Sequence, residues 1–259
     1  MIFGFGEKRL HSVRDQYGLI EVIETRNERS LHFGTPAKQS SYLRNNPDYL
    51  HLSYTRAMLS SLIFQPKPKK ILLVGLGGGS LVKFLLNHLP KCEIDVVELR
   101  SAVHQTACDF FQLHHDLRLT VHIDDIRNHL PRISDSHQNH YDLVLVDAFV
   151  EDGISESVVD DPFFRAIYEV LRPKGIFSMN LWHSDFTSSN EMLAVIDNTF
   201  GNRSLRVPLD DKENIIMLVR KGLQLFPYER DLMDRAKDLQ KATEIEHPKF
   251  LRVMRENSL

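Results

Sequence analysis

The chain has 259 residues, 42% hydrophobic and 26% charged, the balance of a folded globular protein with enough length for one substantial core. With 32 basic against 35 acidic side chains the formal charge is −3, without the basic excess of a nucleic-acid binder. No apolar run approaches the ~18 residues of a membrane span, the first residues carry no apolar leader segment, and the two cysteines, Cys92 and Cys108, are too few for a disulfide framework. The expectation is a cytoplasmic protein with no membrane or nucleic-acid partner.

In chain order, residues 18–24 (GLIEVIE) alternate apolar and polar, the period of a half-buried strand. Residues 26–29 read as a turn and 30–33 as a return strand, so the N-terminal part is expected to be a β-hairpin or small antiparallel sheet. Apolar residues at 50, 54, 58 and 62 set a helix over 49–64. The stretch 65–70 (QPKPKK) cannot continue it. Strands then alternate with helices: strand 70–74, helix 80–89, strand 93–97, and a helix from a Ser101 cap to about 113. Next come strands 119–123 and 141–146, a helix from Asp161-Pro162 to 171 with proline at its first position, strand 176–180 and helix 188–200. A closing hairpin (204–207 with 214–219) and a charged surface helix (231–243) end the chain. Cys108 lies on an apolar helical face and reads as core. Such alternation defines a Rossmann-like α/β fold with a doubly wound, mostly parallel sheet. Three segments are expected: 1–65, the small β-region with its helix; 66–222, the α/β domain; 223–259, a helical tail.

Ligands of doubly wound sheets sit at the C-terminal ends of the strands, where the chemistry-bearing residues fall. Gly75, Gly77 and Gly79 follow the first strand in a G-x-G-x-G spacing. The dinucleotide fingerprint would place its third glycine where Ser80 stands, which disfavours an NAD-dependent dehydrogenase and suits a fold that binds S-adenosylmethionine. A merely tight turn is the plainer reading. Glu98 ends the second strand, where a carboxylate can accept both ribose hydroxyls of a nucleoside. Asp124 and Asp125 end the third; a carboxylate there can take the adenine amino group, with the next backbone N–H on the ring, or cap a helix. Asp147 ends the very apolar fourth strand. From it to Asp161 lie six acids (Asp147, Glu151, Asp152, Glu156, Asp160, Asp161) and no Lys or Arg, either a mouth that attracts cations or a solvated loop. His114, His115, His137 and His140 lack partners at metal-ligand spacing, and no metal is expected.

Taken together these stretches resemble the spermidine synthase family of polyamine aminopropyltransferases, built on the class I S-adenosylmethionine-dependent methyltransferase fold. The resemblance runs over residues 17–182 and more loosely to 219. It is carried by YGLIEVIE (17–24), Gln39, Tyr54, PKKILLVGLGGG (68–79), VVE (96–98), DIRNHL (125–130), YDLVLVD (141–147), Phe163-Phe164 and LRPKG (171–175). It implies that Gly75, Gly77, Gly79, Glu98, Asp125, Ile126 and Gln39 hold the nucleoside, with Asp125 preferred over Asp124. Asp147 would be catalytic, and Tyr54 and Glu151 would face the acceptor. It further implies S-adenosylmethionine or its decarboxylated form as co-substrate, an amine or polyamine acceptor, and a homodimer. The chain departs from the family's pattern at Gly18 (usually Gln), at Thr55-Arg56 (usually His or Gln, then Glu) and at Val150, where a second carboxylate is usual and Glu151 follows one place later. Two other readings stay open: a methyltransferase with an unknown acceptor, and a catalytically silent nucleoside binder.

Overall fold

Two sheets organise the chain. The computed structural model describes residues 6–136, 139–150, 153–154, 160–182, 186–201, 204–209, 214–222 and 231–257. The first sheet is antiparallel: β1 (Lys8–Asp15), β2 (Gly18–Glu24), β3 (Glu28–His32) and β4 (Lys38–Leu43), in that order. It is larger than a hairpin because β1 and β4, too polar to stand out by period, add an edge each. Ile20, Val22, Leu31 and Tyr42 pack onto Val103 and Phe111. The alternation in residues 18–24 predicts a half-buried strand, yet Glu21 on the other face is buried too, paired with Arg9 at 3.0 Å. The turn expected at 26–29 is shorter: Glu28 and Arg29 belong to β3. Arg29 forks onto Glu24, and Thr25 N–H closes the turn on the Glu28 carbonyl at 2.8 Å.

The helix expected over 49–64 is split into α1 (Ser53–Met58) and a 3₁₀ segment, Leu59–Ile63. The hydroxyls of Ser60 and Ser61 bond back to the Ala57 and Met58 carbonyls at 2.5 and 2.8 Å, competing with the α-helical pattern and accompanying the tighter winding.

The second sheet has seven strands: β5 (Lys70–Val74), β6 (Glu93–Glu98), β7 (Leu119–Ile123), β8 (Tyr141–Val146), β11 (Leu171–Trp182), β12 (Leu205–Pro208) and β13 (Asn214–Arg220). Two-residue strands β9 (Phe149–Val150) and β10 (Gly153–Ile154) pair separately. The order is β12-β13-β11-β8-β5-β6-β7. Pairing is parallel from β7 through β11, and β13 is antiparallel to both of its neighbours. Five helices accompany these strands: α2 (Ser80–His88), α3 (Ser101–Phe110), α4 (Ile126–Ser136), α5 (Asp161–Val170) and α6 (Phe186–Phe200). The continuous apolar runs of β5 and β8 reflect burial on both faces. Ile71, Leu73, Leu143 and Leu145 share a cluster with Met58, Leu81 and Leu85, whereas Leu72, Val74, Val144 and Val146 share one with Phe163, Phe164 and Ile167.

Several sequence expectations need correcting. Ser101 does not cap α3; Arg100 holds the cap position, and Ser101 is the first, exposed helical residue. Asp160 rather than Asp161 caps α5, accepting the Phe163 N–H at 3.0 Å, which moves Pro162 to the second helical position. Cys108 is exposed and Cys92 is the buried cysteine. The buried stripe of α3 is Val103, Thr106 and Ala107, and one further residue turns the chain outward. Helix α4 escaped notice because Pro131 interrupts a polar segment. At the C-terminal end α7 (Leu232–Thr243) is less a surface helix than its charges imply, since Leu232 and Ala236 pack on Ile63 and Leu251. Within the same C-terminal segment α8 (His247–Glu256) sends Phe250 and Met254 into the cluster that holds Leu73 and Leu143. Among the described residues no helix is long and apolar enough to cross a membrane.

Candidate active site

Strand order reverses direction beside β5: β6 and β7 extend to one side, β8 and β11 to the other. Such a switch point opens a crevice at the C-terminal strand ends. Gly75 leaves β5 there with its N–H on the Val97 carbonyl, and Asp147 leaves β8 with its N–H on the Val74 carbonyl, each at 2.9 Å. A side chain at Gly75 would place Cβ 2.2 Å from the Asp147 carbonyl oxygen, and φ is +90°, so only glycine lets these backbones approach so closely. Gly77 and Gly79 also have positive φ, +54° and +72°. Beside the loop runs β4: a Cβ on Gly77 would lie 3.5 Å from Ser40 Cβ and 3.8 Å from the Gln39 carbonyl, and Ser40 Oγ is 3.2 Å from Ser80 Oγ. Gln39 is therefore next to the loop through its backbone.

Glu98 ends β6 at 6% exposure. Its carboxylate accepts the Leu76 N–H at 2.8 Å and the Arg100 N–H at 2.9 Å. Burial pushes this carboxyl above the usual range, against the pull of those backbone donors and of the Arg100 charge. The Arg100 guanidinium grips Asp15 through two bonds of 3.0 and 2.9 Å and the Gly18 carbonyl at 3.0 Å. Gly18, with φ +117°, is thereby accounted for as a hairpin residue whose carbonyl is presented to Arg100.

Asp124 donates its N–H to the Glu98 carbonyl at 3.0 Å, and its carboxylate is committed to Arg132 and to His129, 3.4 Å away. Asp125 stands half-buried at the head of α4, its Oδ1 accepting the Arg127 N–H at 2.9 Å. Ile126 is buried in the core. The helix-cap geometry and the strand-end position are thus both realised at Asp125.

Across the switch point Asp147 meets Tyr54 and Asn180. Asn180 Nδ2 donates to Asp147 Oδ1 at 3.0 Å, and Asn214 Nδ2 donates to Asn180 Oδ1 at 2.9 Å. The Tyr54 hydroxyl donates to the Gln39 carbonyl at 3.0 Å and also lies within hydrogen-bonding reach of Asp147. Burial, then the negative charge of Asp147, pushes this phenol well above its ordinary value. One hydroxyl proton thus faces two acceptors. Sequence reasoning missed Asn180 and Asn214; the available signal was a polar residue breaking the apolar run of β11 at the same level as Asp147.

The departing residues point elsewhere. Thr55 Oγ1 bonds the Leu52 carbonyl at 2.6 Å. Arg56 turns to α8, with Nε 3.1 Å from both Glu246 oxygens, and donates to the Leu50 and His51 carbonyls. Of the acids after Asp147, Asp160 caps α5 and Asp161 pairs with Arg165 at 2.7 Å. Glu151, Asp152 and Glu156 lie outside the described residues, as does His137. His114 and His115 are exposed. Among the described residues no group of three His, Cys, Asp or Glu is placed to hold a metal ion.

A glycine loop with positive φ, an acid ending the next strand and a carboxylate across the switch point, on this strand order, make up a methyltransferase-type α/β fold. The profile of the spermine/spermidine synthase domain matches residues 52–202. A polyamine aminopropyltransferase of Chromobacterium violaceum is 31% identical over 242 residues, 92% of this chain and 90% of the relative. An eEF1A lysine and N-terminal methyltransferase of Xenopus laevis is 27% identical over 79% of this chain but only 31% of its own length. Among solved structures, a spermidine synthase in complex with the transition state analogue AdoDATO shares the fold, with a TM-score of 0.72 at 15% identity over 95% of this chain and 84% of that one. The chain belongs to the spermine/spermidine synthase family.

Proposed function

We propose that this protein transfers an aminopropyl group from decarboxylated S-adenosylmethionine to an amine, with Asp147 receiving the proton. The observation that carries this reading is the meeting of Asp147, Tyr54 and Asn180 at the switch point beside the glycine loop, in a chain of this family. The acceptor nitrogen attacks the methylene carbon bonded to the sulfonium. A C–N bond forms, the C–S bond breaks with its electron pair going to sulfur, methylthioadenosine leaves, and the nitrogen's proton passes to Asp147. Holding both substrates in line supplies most of the acceleration. Glu98 takes the ribose hydroxyls with the acceptor capacity its backbone partners leave. Asp125 and the Ile126 N–H take the adenine, and Gly75, Gly77, Gly79 and Gln39 let backbone close around the nucleoside. Tyr54 and Glu151 are the residues proposed to bind the acceptor. A cytoplasmic setting suits the two free cysteines. A homodimer through the N-terminal sheet suits β1, which pairs with β2 alone among the described strands.

The eEF1A methyltransferase relative supports a second reading, methyl transfer in the same pocket. Incubation with putrescine and decarboxylated S-adenosylmethionine should release methylthioadenosine in proportion to amine. If no di- or polyamine yields it, aminopropyl transfer is wrong; if S-adenosylmethionine is converted to S-adenosylhomocysteine instead, methyl transfer replaces it. A monomer mass by light scattering would contradict the dimer.

A further inference from the structure

We propose that Asn214 is a positioning residue that acts through Asn180 to fix the side chain of Asp147. The three residues come from neighbouring strands or their ends, β13, β11 and β8. Met179 pairs with Val146, which sets Asn180 beside Asp147, and Trp182 pairs with Asn214, two residues along the same face. The two bonds, 2.9 Å from Asn214 Nδ2 to Asn180 Oδ1 and 3.0 Å from Asn180 Nδ2 to Asp147 Oδ1, have only one chemically consistent direction. An ionised carboxylate accepts and never donates, so Asn180 must present its NH₂ to Asp147. Its carbonyl oxygen then faces Asn214, which must present NH₂ in turn. Asn180 is 3% exposed, so water does not readily replace a lost partner there.

This donor is the better committed of the two beside Asp147, because the single Tyr54 proton also faces the Gln39 carbonyl. Tyr54, from α1, is the titratable group shown against Asp147 among the described residues. Held at Oδ1, the carboxylate resists rotation and keeps one orientation toward the crevice. Without Asn214 the Asn180 oxygen loses the donor that anchors it, and the amide is free to swing. Its NH₂ then bonds Asp147 less closely and is less polarised, and a weaker donor to the carboxylate disfavours the ionised form. The role of the relay rests on Asp147 meeting the amine; the relay itself does not.

The test is a double-mutant cycle read by ¹³C NMR titration of aspartate carboxyls in the whole protein, with Asp147 assigned from its loss in Asp147→Asn. Asn214→Ala should raise the Asp147 titration midpoint by roughly half a unit and Asn180→Leu by about one. The double variant should match Asn180→Leu alone, because the effect runs through Asn180. In turnover, Asn214→Ala should lower kcat about tenfold, move the acid limb of its pH profile upward, and leave the KM for the nucleoside within twofold. An unchanged midpoint in Asn214→Ala, or a shift that persists undiminished in the Asn180→Leu background, overturns the relay. If Asn180→Leu fails to fold, Asn180→Ala closes the cycle. Shifted midpoints in a protein that performs no aminopropyl transfer would keep the relay and reject the proposed reaction.

Discussion

Glu98 holds up the loop it is proposed to serve. Its carboxylate accepts the Leu76 and Arg100 N–H groups while remaining the group offered to the ribose. Glu98→Gln should therefore weaken methylthioadenosine binding by about 1.5–3 kcal/mol, the range for hydrogen bonds to charged groups, with an unchanged dissociation constant by calorimetry rejecting the assignment. Glu98→Gln turns its NH₂ toward one of these two backbone donors and Glu98→Ala leaves both without an acceptor, so both should lower thermal stability, Ala the more, since each orphaned buried N–H costs about 1–3 kcal/mol. The glycines separate in the same way. Gly75→Ala drives a methyl 2.2 Å from a backbone oxygen and should cost at least about 3 kcal/mol or prevent folding. Gly77→Ala meets only ordinary contacts at 3.5 Å and beyond and should cost about 1–2 kcal/mol for its left-handed backbone. It should still impair nucleoside binding; normal affinity would make the loop a mere turn. Glu98, Asp147 and the glycines were legible because each ends or follows an apolar strand. Asn180 and Asn214 were not, since their adjacency depends on the register of strands far apart in sequence.

The elements are tied together by a few polar clamps, of which Arg100 to Asp15 matters most for the site. It joins the N-terminal sheet to the turn that follows Glu98. Burial alone would raise the Asp15 carboxyl, but the Arg100 hydrogen bonds and charge, with the Tyr17 N–H, hold it below the usual carboxylate range. Asp15 is 23% exposed and Arg100 4%, so Asp15→Asn should cost about 2–3 kcal/mol by urea unfolding, somewhat less than the ~3–5 of a fully buried pair. A depressed carboxyl stabilises above its unfolded pKa of 3.8 and loses that contribution as pH falls through the lower folded value. The variant should accordingly lose part of the wild type's acid sensitivity below pH 3.8; an undiminished acid transition would contradict this. Strands β5, β6, β7, β8 and β13 were readable from apolar runs bounded by breakers. The side chains of β1 and β4 are mostly polar and meet partners through ion pairs such as Arg9–Glu21 and Lys38–Glu28, and Pro131 disguised α4, so their periods carried little signal.

At the scale of the whole molecule, one apolar cluster joins Leu50 and Met58, the central strands, and Phe250 and Met254 of α8, so the C-terminal helices are part of the core. His247, at the start of α8, is fully buried, and burial pushes its imidazole down to about 4 from the ordinary 6.5. Between those values the unfolded chain binds a proton that the folded chain refuses, so stability falls as pH drops through this window and this contribution levels off below it. The loss should approach about 3 kcal/mol, at 1.36 kcal/mol per pH unit, and His247→Leu should remove that slope; an identical pH dependence in the variant would contradict it. The α/β alternation made the central architecture legible in the sequence. How the N-terminal sheet lies beside the glycine loop, and how α8 receives Arg56, depend on long-range contacts that no local pattern encodes.

The measurement that bears most directly on the central claim is a comparison of Asp147→Asn with the wild type in methylthioadenosine release from decarboxylated S-adenosylmethionine and putrescine, alongside nucleoside affinity by calorimetry. The substitution keeps the shape beside Asn180 and removes the proton acceptor. The account predicts that kcat falls about 10²–10⁴-fold, the scale of a general base, while the dissociation constant for methylthioadenosine stays within a few-fold. Wild-type kcat in Asp147→Asn, with methylthioadenosine formed at the same rate, would show that Asp147 is not the catalytic group.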